Sequence, residues 1–212
     1  MTTRSVEDTL REEYSDLLPD IRRTVGELDA RARYAMMPIA LGLKLRHEQI
    51  VVRSRVKDCE SAIGALRRRQ EGKLFDQAAP EKYYLKNLPD LAGVRILVFP
   101  RQHVDNVKTA MHSAFPSWQA DHILDEDGEQ VLAWKHNGFC TGSHRVRCEY
   151  QIVPMLVGLF WEVEHAAIYK PDRQLMGVSR EPLMRERTQV VLAALKDFEE
   201  EFVRQVSEAA RG

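Results

Sequence analysis

Cysteine is scarce in this sequence. Cys59, Cys140 and Cys148 are an odd number among 212 residues, with no Cys-x-x-Cys pair, so neither a disulfide framework nor a zinc knuckle is supported and reduced thiols are the expectation. Long apolar runs are missing too: nothing approaches the roughly 20 residues of a membrane span. The start, Met1-Thr2-Thr3-Arg4 followed by an acidic stretch, lacks the apolar core of a signal peptide, which points to a cytoplasmic protein with no membrane partner. Bulk positive charge is also absent. With 31 Lys and Arg against 32 Asp and Glu, the formal net charge is −1, which argues against coating nucleic acid through charge alone. There is no internal repeat and no low-complexity tract. The remainder, 44% hydrophobic and 30% charged, suffices for one well-buried domain with helical flanks.

Locally the charge is uneven. From Arg53 to Lys73 seven cations (Arg53, Arg55, Lys57, Arg67, Arg68, Arg69, Lys73) face three acids (Asp58, Glu60, Glu71), a net of +4 in 21 residues. Such a concentration suits a localised anion. Two acids stand out in the opposite sense. Asp90-Leu91-Ala92-Gly93-Val94-Arg95-Ile96 and Glu149-Tyr150-Gln151-Ile152 each set a carboxylate on an apolar segment of β-character, where an acid is costly without a counter-charge. Brought together on adjacent strands, Asp90 and Glu149 make a hard-oxygen site for Mg²⁺ with a phosphate substrate.

Periodicity predicts the elements that carry these residues. Val6, Leu10, Tyr14, Leu17, Ile21, Val25 and Leu28 recur at three and four residues after Ser5 as N-cap, with Asp8 as a variant capping-box acid; the helix is expected to kink or break near Pro19. Alternation over 49–56 predicts a strand. Asp58 caps a helix over 59–70, and Glu71 to Pro89 reads as a surface loop, mobile over a substrate. A strand over 93–99, a helix through Val104, Val107, Met111 and Phe115, and strands over 118–123 and 129–134 around the turn Asp125-Glu126-Asp127-Gly128 follow. Asn137-Gly138 and Gly142 are turn signals before a strand over 144–152. Pro154 opens a helix carrying Trp161, Glu164, His165, Tyr169 and Lys170 as far as Pro171. Leu183, Val190, Val191, Ala194, Leu195, Phe198, Phe202 and Val206 form the stripe of a last long helix.

The ordered set Ser54-Arg55-Val56-Lys57, Ser61, Arg67-Arg68-Arg69, Asp90 to Ile96, Asn137-Gly138-Phe139, His144, Glu149 to Ile152, Glu164-His165 and Tyr169-Lys170 resembles the RelA/SpoT synthetase domain. The size is similar to that of its small single-domain members, the small alarmone synthetases. The match covers roughly residues 50 to 170, and its force lies in the order of several motifs.

The resemblance implies an α+β fold, a mixed β-sheet flanked by helices and similar to nucleotidyltransferases, with an N-terminal helical flank over 1–48, a synthetase domain over 49–170 and a C-terminal helical flank over 171–212. It implies a GTP pyrophosphokinase-like transferase, moving pyrophosphate from ATP to the 3′-hydroxyl of GDP or GTP to make the alarmone (p)ppGpp. On matching positions, Asp90 would hold Mg²⁺, and Glu149 would share the metal or help deprotonate the hydroxyl. Arg55, Lys57, Ser61, Arg67, Arg68 and Arg69 would bind ATP. Phe139, in place of a tyrosine that stacks on the acceptor base, would join His144 and Gln151 at the acceptor, with Arg95 and Lys170 as further phosphate contacts. Phosphoryl chemistry asks for positioning and charge neutralisation, which two acids and a cluster of forked cations supply. The hydrolase domain of full-length members has no room here, so synthesis without hydrolysis is the expectation.

The pattern departs in three places. Where the family continues Glu-x-Gln-Ile with Arg-Thr, Ile152 is followed by Val153-Pro154. The glycine loop holds one extra residue before His144, so that Cys140 is a rival for the stacking position. Only Arg145 to Cys148 separate His144 from Glu149, so either the sheet is shortened or a loop is absent from the chain, the second being preferred. Blander readings stand beside these: a turn acid for Asp90, dipole compensation for Arg67 to Arg69, a structural ion pair for Arg95, a satisfied helical histidine for His165, a solvated Lys170, and core for Phe160, Trp161 and the methionines. The last helix packs on the domain or joins copies of the chain. Alternative functions are a toxic relative that pyrophosphorylates the 3′ end of tRNA or makes adenosine alarmones, with an antitoxin partner, and an inactive nucleotide-binding regulator.

Overall fold

The computed structural model describes residues 5–45, 48–70, 74–79, 82–124, 131–142, 145–164 and 182–209. The first helix, α1 (Val6–Gly42), starts where Ser5 Oγ accepts from the Asp8 amide, and runs unbroken through Pro19 and Pro38. A helical proline costs about 3 kcal/mol. One stripe of α1 buries Val6, Leu10, Tyr14, Leu17, Ile21, Leu28 and Met36, each contributing roughly 1.5–3 kcal/mol, so burial outweighs both prolines and the expected break is not seen.

Against that stripe lies a five-stranded sheet, in spatial order β1 (Ile50–Val56), β2 (Ala92–Val98), β5 (Arg147–Pro154), β4 (Val131–Phe139), β3 (Gln119–Leu124). Only β2 and β5 run parallel; the other neighbours are antiparallel. The helix α2 (Cys59–Arg68) follows β1 and is capped by Asp58, whose Oδ1 accepts from the Ser61 amide at 2.9 Å. The helix α3 (Val104–Ala114) joins α1 on the first face of the sheet, over Val52, Val94, Ile96, Tyr150 and Ile152.

Because strand side chains alternate, the second face is read off the register, and it divides in two. Val51, Leu97 and Val153 form an apolar row, covered by α4 (Met155–Glu164) and by Leu192 of α5 (Pro182–Ala209). Above it come a charged row, Arg53, Arg95, Gln151 and Lys135, and then Arg55, Gly93, Glu149 and Asn137. The chain thus builds an apolar floor beneath a polar shelf.

Several expectations are corrected. Asn137 and Gly138 lie within β4, paired with Glu149 and Cys148. Gly138 serves packing, since a Cβ there would meet Trp118 Cδ1 at 2.6 Å. Phe139 pairs with Arg147, so β4 and β5 are direct antiparallel partners with only residues 140–146 between them in the chain, and the sheet needs no further loop. Val153 is buried in the apolar row, which leaves no place for a cation. Within the expected mobile loop, several of the described residues are anchored: Phe75, Leu85 and Leu88 are buried, and the Leu85 amide donates to Glu13 Oε2 at 3.0 Å. Cys140 is fully buried, 3.5 Å from Cys148 Sγ, and offers no stacking surface. The expected stripe of α5 is mostly exposed, Phe198 at 58%; Leu192 and Glu199 are its buried residues. Met37 is likewise exposed. The 125–128 turn, His165 and Tyr169 lie outside the described residues.

Candidate functional site

The end of β1, the mouth of β2 and the start of β5 meet at one edge of the polar shelf. Lys57 is fixed there through its backbone: its carbonyl accepts from the Tyr14 hydroxyl at 2.8 Å, and its amide donates to Leu91 O at 3.0 Å. Asp90 sits in the turn that opens β2, between Leu88 and Leu91, both fully buried. These two anchors aim a short side chain out of an otherwise apolar segment. Lys57 Nζ donates to Asp90 Oδ2, and Arg55 Nη2 lies 3.8 Å from the same oxygen. Gly93 makes room for that arginine, since a Cβ would stand 3.3 Å from Arg55 Nε and 3.6 Å from Glu149 O.

Glu149 is 9% exposed on the neighbouring strand. Its Oε1 accepts from Gln151 Nε2 at 2.6 Å, and Gln151 Oε1 accepts from Arg95 Nε at 3.2 Å. Burial pushes the Glu149 carboxyl above its ordinary range, with Asp90 adding in the same direction, while the Gln151 hydrogen bond, Lys135 and Arg55 pull it down. A buried carboxylate opposed by a second one is the electrostatic setting that a divalent cation relieves.

Both acids line one cavity of about 360 Å³, with Lys57, Ala65, Arg68, Arg69, Leu88, Pro89 and Lys135 as its other walls. Arg68 and Arg69 reach it from the last turn of α2, and Arg69 Nη1 also donates to Asn87 O at 3.2 Å. Arg67, about 100° further round the helix, turns away to pair with Glu7 Oε1 at 3.2 Å, with Phe75 beneath its guanidinium. Ser61 is exposed in the first turn of α2 and outside the cavity lining. A second cavity of about 380 Å³ opens beyond Asn87, lined by Lys86, Asn87, Phe139, Arg145 and Arg147. Phe139 is 43% exposed there, with the Arg147 guanidinium 5.9 Å from its ring centre. Thus Lys57, Arg68, Arg69, Asp90 and Glu149 are brought to one cavity with Arg55 at its edge, Phe139 stands in the other, and Gln151 and Arg95 lie beneath Glu149. His144 and Lys170 fall outside the described residues.

Sequence reasoning missed Lys135. The expected strand ended at 134, whereas β4 continues to Phe139, and that extension sets Lys135 opposite Gln151. Lys86, Arg145 and Arg147 were also unassigned; their signal was the proximity of Arg145 and Arg147 to Glu149 in the chain. As for a metal, Asp90 and Glu149 supply the one or two carboxylates that Mg²⁺ takes when substrate phosphates and water complete its shell. The donor set fits. No group of three or more His, Cys, Asp or Glu with metal-binding geometry exists among the described residues.

No family model matches the sequence, and no curated protein does. Solved structures do match. Small alarmone synthetase 1 from Bacillus subtilis, bound to its product pppGpp, aligns at 19% identity over 94% of this chain and 99% of that one, with a TM-score of 0.64. Its AMPCPP-bound form gives 17%, 93%, 99% and 0.60. A GTP pyrophosphokinase family protein from Streptococcus pneumoniae gives 20%, 93%, 96% and 0.59. The α+β architecture, including both terminal helices, is therefore that of the small alarmone synthetases.

Proposed function

We propose that this chain, folded as those synthetases are, is an ATP-dependent pyrophosphotransferase that makes an alarmone, with the 3′-hydroxyl of GDP or GTP as acceptor. The observation that carries the reading is the single cavity in which one carboxylate from the turn that opens β2 and one from its parallel neighbour β5 face Lys57, Arg68, Arg69 and Lys135. In the reaction the acceptor 3′-oxygen bonds to the β-phosphorus of ATP, the Pα–O–Pβ bridge breaks, and AMP leaves. Arg68 and Arg69 clamp the triphosphate, while Lys57 and Lys135 offset charge on the oxygens in flight. Glu149, at the cavity wall with Gln151 donating to its Oε1, is placed to take the acceptor's proton or to share the metal with Asp90. Asp90 and Glu149 would hold Mg²⁺, which supplies charge neutralisation on the phosphates when bound. Phe139 offers an aromatic face to the acceptor base, and Lys86, Arg145 and Arg147 a cationic wall for its phosphates.

The test is incubation of the purified protein with γ-³²P-ATP, Mg²⁺ and, in separate arms, GDP, GTP, ADP or deacylated tRNA. Label in GDP or GTP, with AMP released, is the expected result, and the isolated product should persist on further incubation because no hydrolysis is expected. Label in ADP or tRNA alone would replace the acceptor by that of the toxic relatives. Label in none would leave a nucleotide-binding regulator.

A further inference from the structure

The polar shelf places three arginines side by side. Arg53 and Arg95 are register partners, and Arg55 is two residues along β1. Like charges so placed repel, and each needs an acid. Asp90 serves Arg55 at 3.8 Å. The other two are served from outside the sheet by Glu162 of α4, whose Oε2 accepts from Arg53 and whose Oε1 lies 4.0 Å from Arg95 Nη1. On its other side Arg95 donates to Gln151, and Gln151 donates to Glu149. A guanidinium has only donors and a carboxylate only acceptors. Gln151, lying between them, therefore has a single usable orientation, and Arg95 enforces it.

We infer that Glu162 is a positioning residue for Glu149: by holding Arg95 toward α4 it keeps the Gln151 amide turned to the Glu149 carboxylate and keeps the Arg95 charge off that carboxylate. The inference rests on the reading of Glu149 as a reacting-site acid. Glu162 and Glu149 are the two acids whose fields support Arg95, against burial and the fields of Arg55 and Arg53. With Glu162 neutral, Glu149 is left to attract Arg95. A direct Arg95–Glu149 pair would displace Gln151 and occupy a carboxylate oxygen needed at the cavity.

The discriminating variants are Glu162→Gln, Glu162→Asp and Arg53→Gln, read three ways. The side-chain amide resonances of Gln151, assigned by their loss in Gln151→Leu, report the orientation without turnover. Mn²⁺ affinity by electron paramagnetic resonance reports the carboxylate, and the split of kcat from KM reports the reaction. Glu162→Gln should shift the Gln151 resonances, weaken Mn²⁺ about tenfold and lower kcat about tenfold, with KM for ATP within twofold, the low end of what outer-shell partners of metal ligands show. Glu162→Asp should recover most of each. Arg53→Gln, which leaves Glu162 to Arg95, should stay near wild type in all three. Unmoved Gln151 resonances and Mn²⁺ affinity in Glu162→Gln would overturn the inference, as would equal effects of Glu162→Gln and Arg53→Gln, because α4 would then act only by being pinned to β1. A wild type that transfers label to no acceptor, yet shows the resonance and Mn²⁺ effects, would sink the pyrophosphotransferase reading and leave the positioning intact.

Discussion

Two charges decide most of what the cavity can do. Asp90 is an acid that apolar neighbours aim outward and two cations hold. Asp90→Asn removes a charge without changing volume, so it should lower kcat on the order of a hundredfold or more while the melting temperature moves little; wild-type turnover in that variant would remove Asp90 from the reaction. Lys135 faces it across the cavity from β4. A hydrogen bond to a charged group contributes about 1.5–3 kcal/mol, so Lys135→Gln should cost roughly ten- to hundredfold in kcat/KM for ATP, measured by initial rates over ATP concentration. The two residues differ in legibility. Asp90 was visible because an acid before Leu-Ala-Gly-Val had no packing reason. Lys135 was invisible because a lysine at a strand end is ordinarily solvated, and only the register shows it opposite Gln151.

The β4–β5 hairpin shows where a local signal misled, and α5 how a helix read correctly can leave its stripe exposed. Asn-Gly is a strong turn signal, yet at 137–138 burial of Trp118 against the strand overrides it: the indole lies flat where any side chain would stand. Gly138→Ala should therefore cost about 1–3 kcal/mol, read as a lower midpoint in urea unfolding with the slope unchanged. A midpoint within error of wild type would show that Trp118 can yield. The stripe of α5 lies on the expected last helix and stays mostly exposed, because the small apolar row of the sheet, already covered by α4, takes only Leu192 from it. Its second anchor is Glu199, 4% exposed, which accepts from the Arg101 amide. Burial raises the Glu199 carboxyl above its ordinary range, partly offset by that hydrogen bond. The folded chain then binds this proton more tightly than the unfolded chain. The contribution to stability is complete below a pH of about 4.3, the unperturbed glutamate value, and is lost as pH rises through the higher folded value. Melting temperatures of wild type and Glu199→Gln, compared from pH 4 to 7, should diverge in favour of the variant as pH rises. A constant difference would show that Glu199 titrates as it does in the unfolded chain.

At the scale of the molecule, the α+β class came from the family resemblance, whereas element order was legible from periodicity, because α1, α2 and α3 each bury a stripe with helical spacing. The sheet order was not, since no pattern within a strand states which distant strand lies beside it. That gap bears on the cavity. Asp90 stands in the turn that opens β2 and Glu149 on β5, two strands that are adjacent and parallel, with α3, β3 and β4 between them in the chain. Pairing across such a span must pay loop-closure entropy before any contact rewards it. The two carboxylates therefore become neighbours only once β5 has paired with β2 across that span, so a pulse of Mn²⁺ during refolding would act as a clock for that long-range pairing, registering chains in which it has formed and passing over compact chains in which it has not.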